Sequence, residues 1–321
     1  MCSQKSQNTQ RRNEKMSEGG DENKTKGGTG TLYVIGLGLG NEKDVTVRGL
    51  EAIRSSDLVF LEAYTSILSI DKNKLEEYYG CEITVADRDF VECQAEDIYM
   101  PVAKEQKKVS LLVVGDPVCA TTHTDILLRA KKEGITDIQL IHNASIMGAA
   151  GCCGLQLYNF GQTVSIPFFD DNWRPISFYS KIAYNRGGGM HTLCLLDIKV
   201  KEPDFDAMKR GKITYLPPRY MSVNVAAEQL IEAVEQQEDD SKAYNPSTTL
   251  CVGMARLGQS DQCIIAGTLQ ELMEQDFGAP LHSLIICGET HELEMEFLEQ
   301  FLIPNSQYTP NDYKKQQGEE S

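Results

Sequence analysis

Four stretches place polar or glycine residues directly after apolar runs. Gly36-Leu37-Gly38-Leu39-Gly40 follows Leu32–Ile35. Gly115-Asp116-Pro117 follows Val114 and leads into Val118-Cys119-Ala120-Thr121-Thr122-His123-Thr124. His142-Asn143-Ala144-Ser145-Ile146-Met147 follows Ile141, and Ala255-Arg256-Leu257-Gly258 follows Met254. If the runs are strands of a parallel sheet, these are the carboxyl ends where such sheets hold ligands. A carboxylate fixed there, such as Asp116, can accept hydrogen bonds from a ribose or an amine. Hydrolytic chemistry has no support, since no Ser/His/Asp order and no paired-carboxylate spacing occurs. The phosphate-binding pattern G-x-x-x-x-G-K-[ST] is also missing.

The first glycine loop admits two readings. A dinucleotide fingerprint is G-x-G-x-x-G, with an acidic residue about 20 positions on. Here the third glycine comes one place early, although Glu62 stands at the end of the second apolar run. The other reading is a tight turn in which glycine serves backbone shape. Gly115-Asp116-Pro117 is likewise good turn chemistry. His142 to Ser145 can be a helix cap or one polar wall of a cleft.

The elements that must position these loops alternate along the chain. Leu32–Ile35 reads as a strand, and Val45–Arg54 as a helix capped near Asp44 or Thr46. Strands follow at Leu58–Glu62 and Glu82–Ala86, with a helix at Lys74–Tyr79 between them. Residues 96–106 read as a helix broken by Pro101. The run from Lys108 is a strand, Thr124 opens a helix that ends at Gly134, and residues 138–143 form the next strand. Runs buried on both faces and alternating with helices imply a mainly parallel sheet. A second cycle starts near Met147. Residues 148–161, rich in Gly and Ala, suit a closely packed helix. Strands are expected at 163–168 and 191–200, an amphipathic helix at 222–237, and two or three strands between 249 and 289. Residues 236–247 read as a loop, and 291–301 as the closing helix.

The organisation is therefore two α/β layers in series. They correspond to domains at 31–146 and 147–304, joined near residues 145–150, with low-apolarity tails at 1–30 and 305–321 expected to be disordered. The 321 residues carry a formal charge of −16. Residues 1–30 contribute +2, which leaves −18 for the remainder. Such a body repels a phosphate backbone, so nucleic acid is not an expected partner. No apolar run nears the roughly 18–20 residues that cross a bilayer, so no membrane association is expected. Ten cysteines without a C-x-x-C pair, and no Cys/His cluster of zinc spacing, point to reduced thiols in the cytoplasm and to no metal site.

Beyond these patterns, several stretches resemble the diphthine synthases, the methyltransferases of diphthamide synthesis. They are "LYVIGLGLGNEKDVTVRGLEAI", "LLVVGDPVCATTHTDILLRAK", "IHNASIMGAAGCCGLQLYNFGQTVSIPFF" and "WRPISFYSKIAYNRGGGMHTLCLLDIKVKE". "YLPPRYMS", "ARLGQSDQ" and "LHSLIICGETHELEMEFL" fit as well, so the likeness spans roughly residues 31–300. "GDP…ATTHTD" and "HNAS" are specific, whereas "GLGLG" alone is not. The resemblance implies an α/β fold of the tetrapyrrole methylase type, two consecutive domains with the active site in the cleft between them. It also implies S-adenosyl-L-methionine as methyl donor, a homodimer, and the modified histidine of translation elongation factor 2 as acceptor. That histidine carries a 3-amino-3-carboxypropyl group; eukaryotic members methylate its amine repeatedly and esterify its carboxylate.

Matched motif to motif, the donor contacts fall on Leu39, Asp116, Cys119, Ser145, Ile146, Leu196, Met254 and His282. The family more often has a small residue where Cys119 stands, which narrows the pocket here. By residue type alone, Leu39, Ile146 and Leu196 are ordinary core residues, and His282 a satisfied core histidine. The resemblance is what selects them. No residue is assigned as general base. The readings set against this one are a dinucleotide-binding oxidoreductase and a non-catalytic ligand-binding α/β protein.

Overall fold

The computed structural model describes residues 30–62, 71–87, 90, 95–200, 202, 204, 208–211, 214–238 and 242–310. The expected tails therefore lie outside the described residues, except Gly30 and residues 305–310.

The first half is a five-stranded parallel sheet in the order β3-β2-β4-β1-β5. Its strands are β1 (Thr31–Gly36), β2 (Leu58–Glu62), β3 (Thr84–Ala86), β4 (Lys108–Val113) and β5 (Ile138–Ile141). Helices α1 (Val47–Arg54), α2 (Lys72–Tyr79), α3 (Glu96–Glu105) and α4 (Thr124–Lys132) connect them. Leu32 and Val34 pack with Ile98, Val102 and Ile126 on one face. Ile35 packs with Ile53, Leu75 and Tyr79 on the other. Burial on both faces is why these strands read as continuous apolar runs. Thr46 caps α1, its hydroxyl accepting from Gly49 N–H at 3.0 Å.

The second half begins with α5 (Ile146–Ala149). Its sheet runs β11-β10-β12-β7-β6, with β6 (Val164–Ile166), β7 (Thr192–Leu196), β10 (Cys251–Ala255), β11 (Cys263–Gly267) and β12 (His282–Ile286). Helices α6 (Tyr179–Gly187), α7 (Val223–Glu235), α8 (Leu269–Met273) and α9 (Glu292–Leu298) surround it. A separate ribbon pairs β8 (Ile198–Lys199) with β9 (Arg219–Tyr220).

Several expectations need correction. The second sheet is not mainly parallel: β11–β10, β10–β12 and β12–β7 are antiparallel, and only β6–β7 is parallel. Helix α3 is not broken at Pro101. The carbonyl that Pro101 leaves without an N–H belongs to exposed Asp97, within reach of water. Residues 148–161 are not one helix; short 3-10 turns at Ala150–Cys153 and Leu157–Asn159 replace it. Gly154 separates them at φ 97°, with the Phe297 ring where a side chain would stand. The strand at 191–200 splits at Asp197, whose N–H turns to Ile166 and whose carbonyl accepts from Met221. Residues 306–309 are docked and not a free tail. Ser306 and Gln307 donate to the Glu271 carboxylate at 2.6 and 2.8 Å, and Thr309 N–H donates to Thr248 at 2.8 Å.

Candidate functional site

A cavity of about 480 Å³ lies between the two sheets. That is within the range of about 300–1,000 Å³ usual for small-molecule sites. All eight residues singled out from the sequence line it: Leu39, Asp116, Cys119, Ser145, Ile146, Leu196, Met254 and His282. Leu39, Asp116 and Ser145 follow the carboxyl ends of β1, β4 and β5, as expected for parallel strands. Leu196 and Met254 sit at or near the carboxyl ends of β7 and β10. His282 comes from the amino end of β12, because antiparallel pairing reverses that strand between its neighbours.

Three loops are tied together at the first sheet. Gly38 and Gly115 exchange backbone hydrogen bonds at 3.2 and 2.8 Å. A Cβ on Gly36 would stand 2.5 Å from the Gly115 carbonyl oxygen, so glycine is needed for loop-to-loop approach. Asp116 is 4% exposed. Its Oδ1 accepts from Val118 N–H at 2.9 Å, and its Oδ2 accepts from His142 Nδ1 at 2.9 Å and Asn143 N–H at 3.1 Å. Burial opposes its charge, but these donors outweigh burial and hold the carboxyl below the usual carboxylate range. Asp116 is thus a brace between two loops as well as a wall of the cavity. Beside it, burial first and the Asp116 charge second push the Cys119 thiol up. Ser145 lends its hydroxyl to Met147 N–H at the start of α5.

His282 is held by backbone on both sides. Val223 N–H donates to its Nδ1 at 3.3 Å, and its Nε2 donates to the Ala279 carbonyl at 2.9 Å. Burial pushes its pKa down, against the Ala279 and Gly278 carbonyls, so the ring is neutral at pH 7. It is a satisfied core histidine and a cavity wall together.

Sequence reasoning passed over Thr121, Asp197, Tyr220 and Arg256, which also line the cavity. Thr121 lay in a quoted motif, but a hydroxyl gives no signal of its direction. Asp197 sat inside an expected strand. Arg256 is, among the described residues, the one Lys or Arg in the lining. Its guanidinium is turned away, to the Asp261 carboxylate and carbonyl and to the carbonyls of Phe277 and Ala279. The lining therefore holds two acidic residues, Asp116 and Asp197, with hydroxyl-bearing and apolar residues, and its one cation is already committed. This suits a neutral or cationic ligand and disfavours a pyrophosphate. The glycine loop agrees, since β1 runs into a 3-10 turn at Glu42–Asp44 before α1. Glu62, the acidic residue of the dinucleotide reading, does not line the cavity.

The fold and this cavity place the molecule in a known class. The chain belongs to the tetrapyrrole (corrin/porphyrin) methylases, whose family pattern it matches over residues 31–273. It is 55% identical to the diphthine methyl ester synthase of Mus musculus, across 87% of this chain and 99% of that protein. It is equally 55% identical to the diphthine methyl ester synthase of Saccharomyces cerevisiae, across 84% of this chain and 89% of that protein. A crystal structure of diphthine synthase superposes with a TM-score of 0.72 at 31% identity, covering 89% of this chain and 99% of that one.

Proposed function

We propose that this chain is an S-adenosylmethionine-dependent methyltransferase of diphthamide synthesis. It methylates the 3-amino-3-carboxypropyl histidine of translation elongation factor 2 and yields diphthine methyl ester. The observation that carries this reading is the nearly end-to-end similarity to proteins bearing that name. The cavity supports it, because its polar lining residues other than Arg256 are acidic or neutral and its remaining walls are apolar, as suits a sulfonium-bearing nucleoside. Leu39, Ile146, Leu196 and Met254 would hold the apolar parts. Asp116, Cys119, Ser145 and His282 would line the polar ones. The sulfonium, when bound, supplies an activated methyl group and a good leaving group. The protein's own task is then to align the acceptor and exclude water, where most of the rate advantage lies.

The same reading takes residues 31–146 and 147–304 as two domains and the chain as a homodimer in the cytoplasm. Exposed Leu157, Tyr158, Leu293 and Phe297 support a second copy. Gln156 N–H donates to Glu294, which brings their two segments together. Among the described residues, no helix is long and apolar enough to cross a membrane.

Calorimetry with S-adenosylhomocysteine, and with NADH as competitor, tests the ligand. Labelled methyl transfer tests the acceptor, using elongation factor 2 with and without the 3-amino-3-carboxypropyl group. Label should enter only the modified form, part of it released by mild alkali. Equal labelling of both forms, or tight NADH binding, overturns the assignment.

A further inference from the structure

Thr121 faces the cavity from the loop between β4 and α4. Its Oγ1 lies 2.6 Å from Nδ1 of His123, at the short end for a hydroxyl donor. His123 is 2% exposed and stands behind the cavity wall. Burial is the largest influence and pushes its pKa below the ordinary value, against the Glu62 carboxylate and the Pro117 carbonyl, so the resting ring is neutral. Glu62, at the end of β2, is itself 1% exposed. A hydroxyl in the wall thus meets an imidazole behind it, away from the ligand space, and that imidazole lies within the influence of the Glu62 charge.

We propose that Thr121 and His123 are the proton exit for amine methylation, an inference that rests on the acceptor class named above. An N–H bond of the substrate ammonium breaks and its proton goes to the Thr121 oxygen. The Thr121 hydroxyl proton passes at the same time to His123 Nδ1, and Glu62 offsets the resulting imidazolium charge. The freed amine lone pair then forms the N–C bond to the donor methyl as the C–S bond breaks, its electron pair staying on sulfur. Each further methylation of the amine needs the same exit, so His123 first returns its proton through Thr121 to solvent while the spent donor is exchanged. Ester formation does not, because a carboxylate is already deprotonated at pH 7.

That difference gives the test. Thr121→Val, Thr121→Ser and His123→Gln are assayed with labelled methyl donor on two acceptors. One is elongation factor 2 bearing the free amine; the other has its amine already fully methylated, so that only ester forms. Thr121→Val and His123→Gln should lose about a hundred-fold on the first acceptor, the lower range for general acid–base catalysis. Their loss on the second should be at least ten-fold smaller than that. Thr121→Ser, which keeps the hydroxyl, should restore amine methylation. The Thr121→Val amine rate should keep rising with pH, since solvent must then take the proton. Equal losses on both acceptors would show a merely structural role, and an unchanged amine rate would remove the relay. S-adenosylhomocysteine binding by each variant separates misfolding from both. Failure of the unmodified chain to label either acceptor overturns the acceptor assignment itself, and the relay with it.

Discussion

Asn143 donates its side-chain N–H to the Gly36 carbonyl, 2.9 Å away and 107 positions earlier in the chain. The same nitrogen reaches the Asp44 carbonyl at 2.9 Å, and the Asn143 backbone N–H donates to Asp116 at 3.1 Å. One residue thus joins three strand-end loops. Asn143→Ala and Asn143→Asp both delete the donors, and the second keeps the shape. Leaving the buried Gly36 carbonyl unpaired should cost about 1–3 kcal/mol. Both variants should melt earlier and bind S-adenosylhomocysteine about ten-fold or more weakly, read by calorimetry. Unchanged affinity in both would show that the loops hold their places without the clamp.

Asp116 should prove costlier than a cavity wall alone. Its two oxygens accept from Val118, His142 and Asn143, so Asp116→Ala strands three donors. Hydrogen bonds to a charged acceptor are worth about 1.5–3 kcal/mol each before solvent recovers part of that. Ligand affinity and melting temperature should therefore fall together. A variant that loses affinity with an unchanged melting curve would show the carboxylate to be a ligand group only. The direction of its pKa also fixes an acid limit. A folded pKa below the ordinary value means the unfolded chain binds more protons once pH drops under about 4. Stability from this carboxylate is present above that value and is lost as pH falls through the folded pKa.

A second acid sensitivity should appear earlier, near neutral pH. His191 is fully buried, takes Gly288 N–H on Nδ1 at 3.0 Å and faces Glu294 at 3.5 Å through Nε2. Burial pushes its pKa down from 6.5, against the Glu294 charge. His282 is lowered too, chiefly by burial. Below about pH 6.5 the unfolded chain gains protons that these rings refuse, so stability must fall as pH drops. The melting temperature should decline between pH 7.5 and 5.5, by about 2–4 °C for each kcal/mol lost in units of 150–250 residues. His191→Gln should melt lower at pH 7.5 but show a shallower decline. A flat profile in the unsubstituted chain would mean the rings charge freely in the fold.

What the sequence made legible follows burial. Leu32 to Ile35 and Val109 to Val113 are covered on both faces, so their apolar runs announced strands. Polar residues at those strand ends announced the cavity, because a parallel sheet leaves few other places for them. Strand direction in the second half was not legible, since Val252 and Ile285 look alike whether their strands run together or opposed. Helix α6 was missed because Asn185 and Arg186 are buried where an apolar stripe was sought. Asn185 is used by Gln162 and Thr192, and Arg186 by the Ala243 and Cys287 carbonyls, contacts that no local pattern encodes. Thr121 and His123 stood in a recognised motif, but their pairing across the cavity wall depends on the turn at Ala120, which holds φ 56° without being glycine.

The end of the chain offers a last separation between composition and contact. Residues 305–321 look alike in polarity, yet 306–309 are fixed to the second sheet's surroundings. Glu271 draws its hydrogen bonds from Ser306 and Gln307 and, in its capping box, from Thr268 N–H at 2.8 Å. Burial works against its charge, but these donors hold the carboxyl below its usual range. Tyr308 packs on the apolar cluster that includes Val252, Met254 and Ile285. Removing residues 311–321 should leave the melting curve unchanged, because none of these contacts is touched. Removing 305–321 should lower it, since Glu271 loses two donors worth about 1.5–3 kcal/mol each as an upper bound, and Tyr308 leaves its apolar contacts. Glu271→Gln in the full chain should reproduce part of that loss and leave Tyr308 in place. If both truncations melt with the intact protein, the segment is a passive surface strap and the Glu271 contacts contribute nothing measurable.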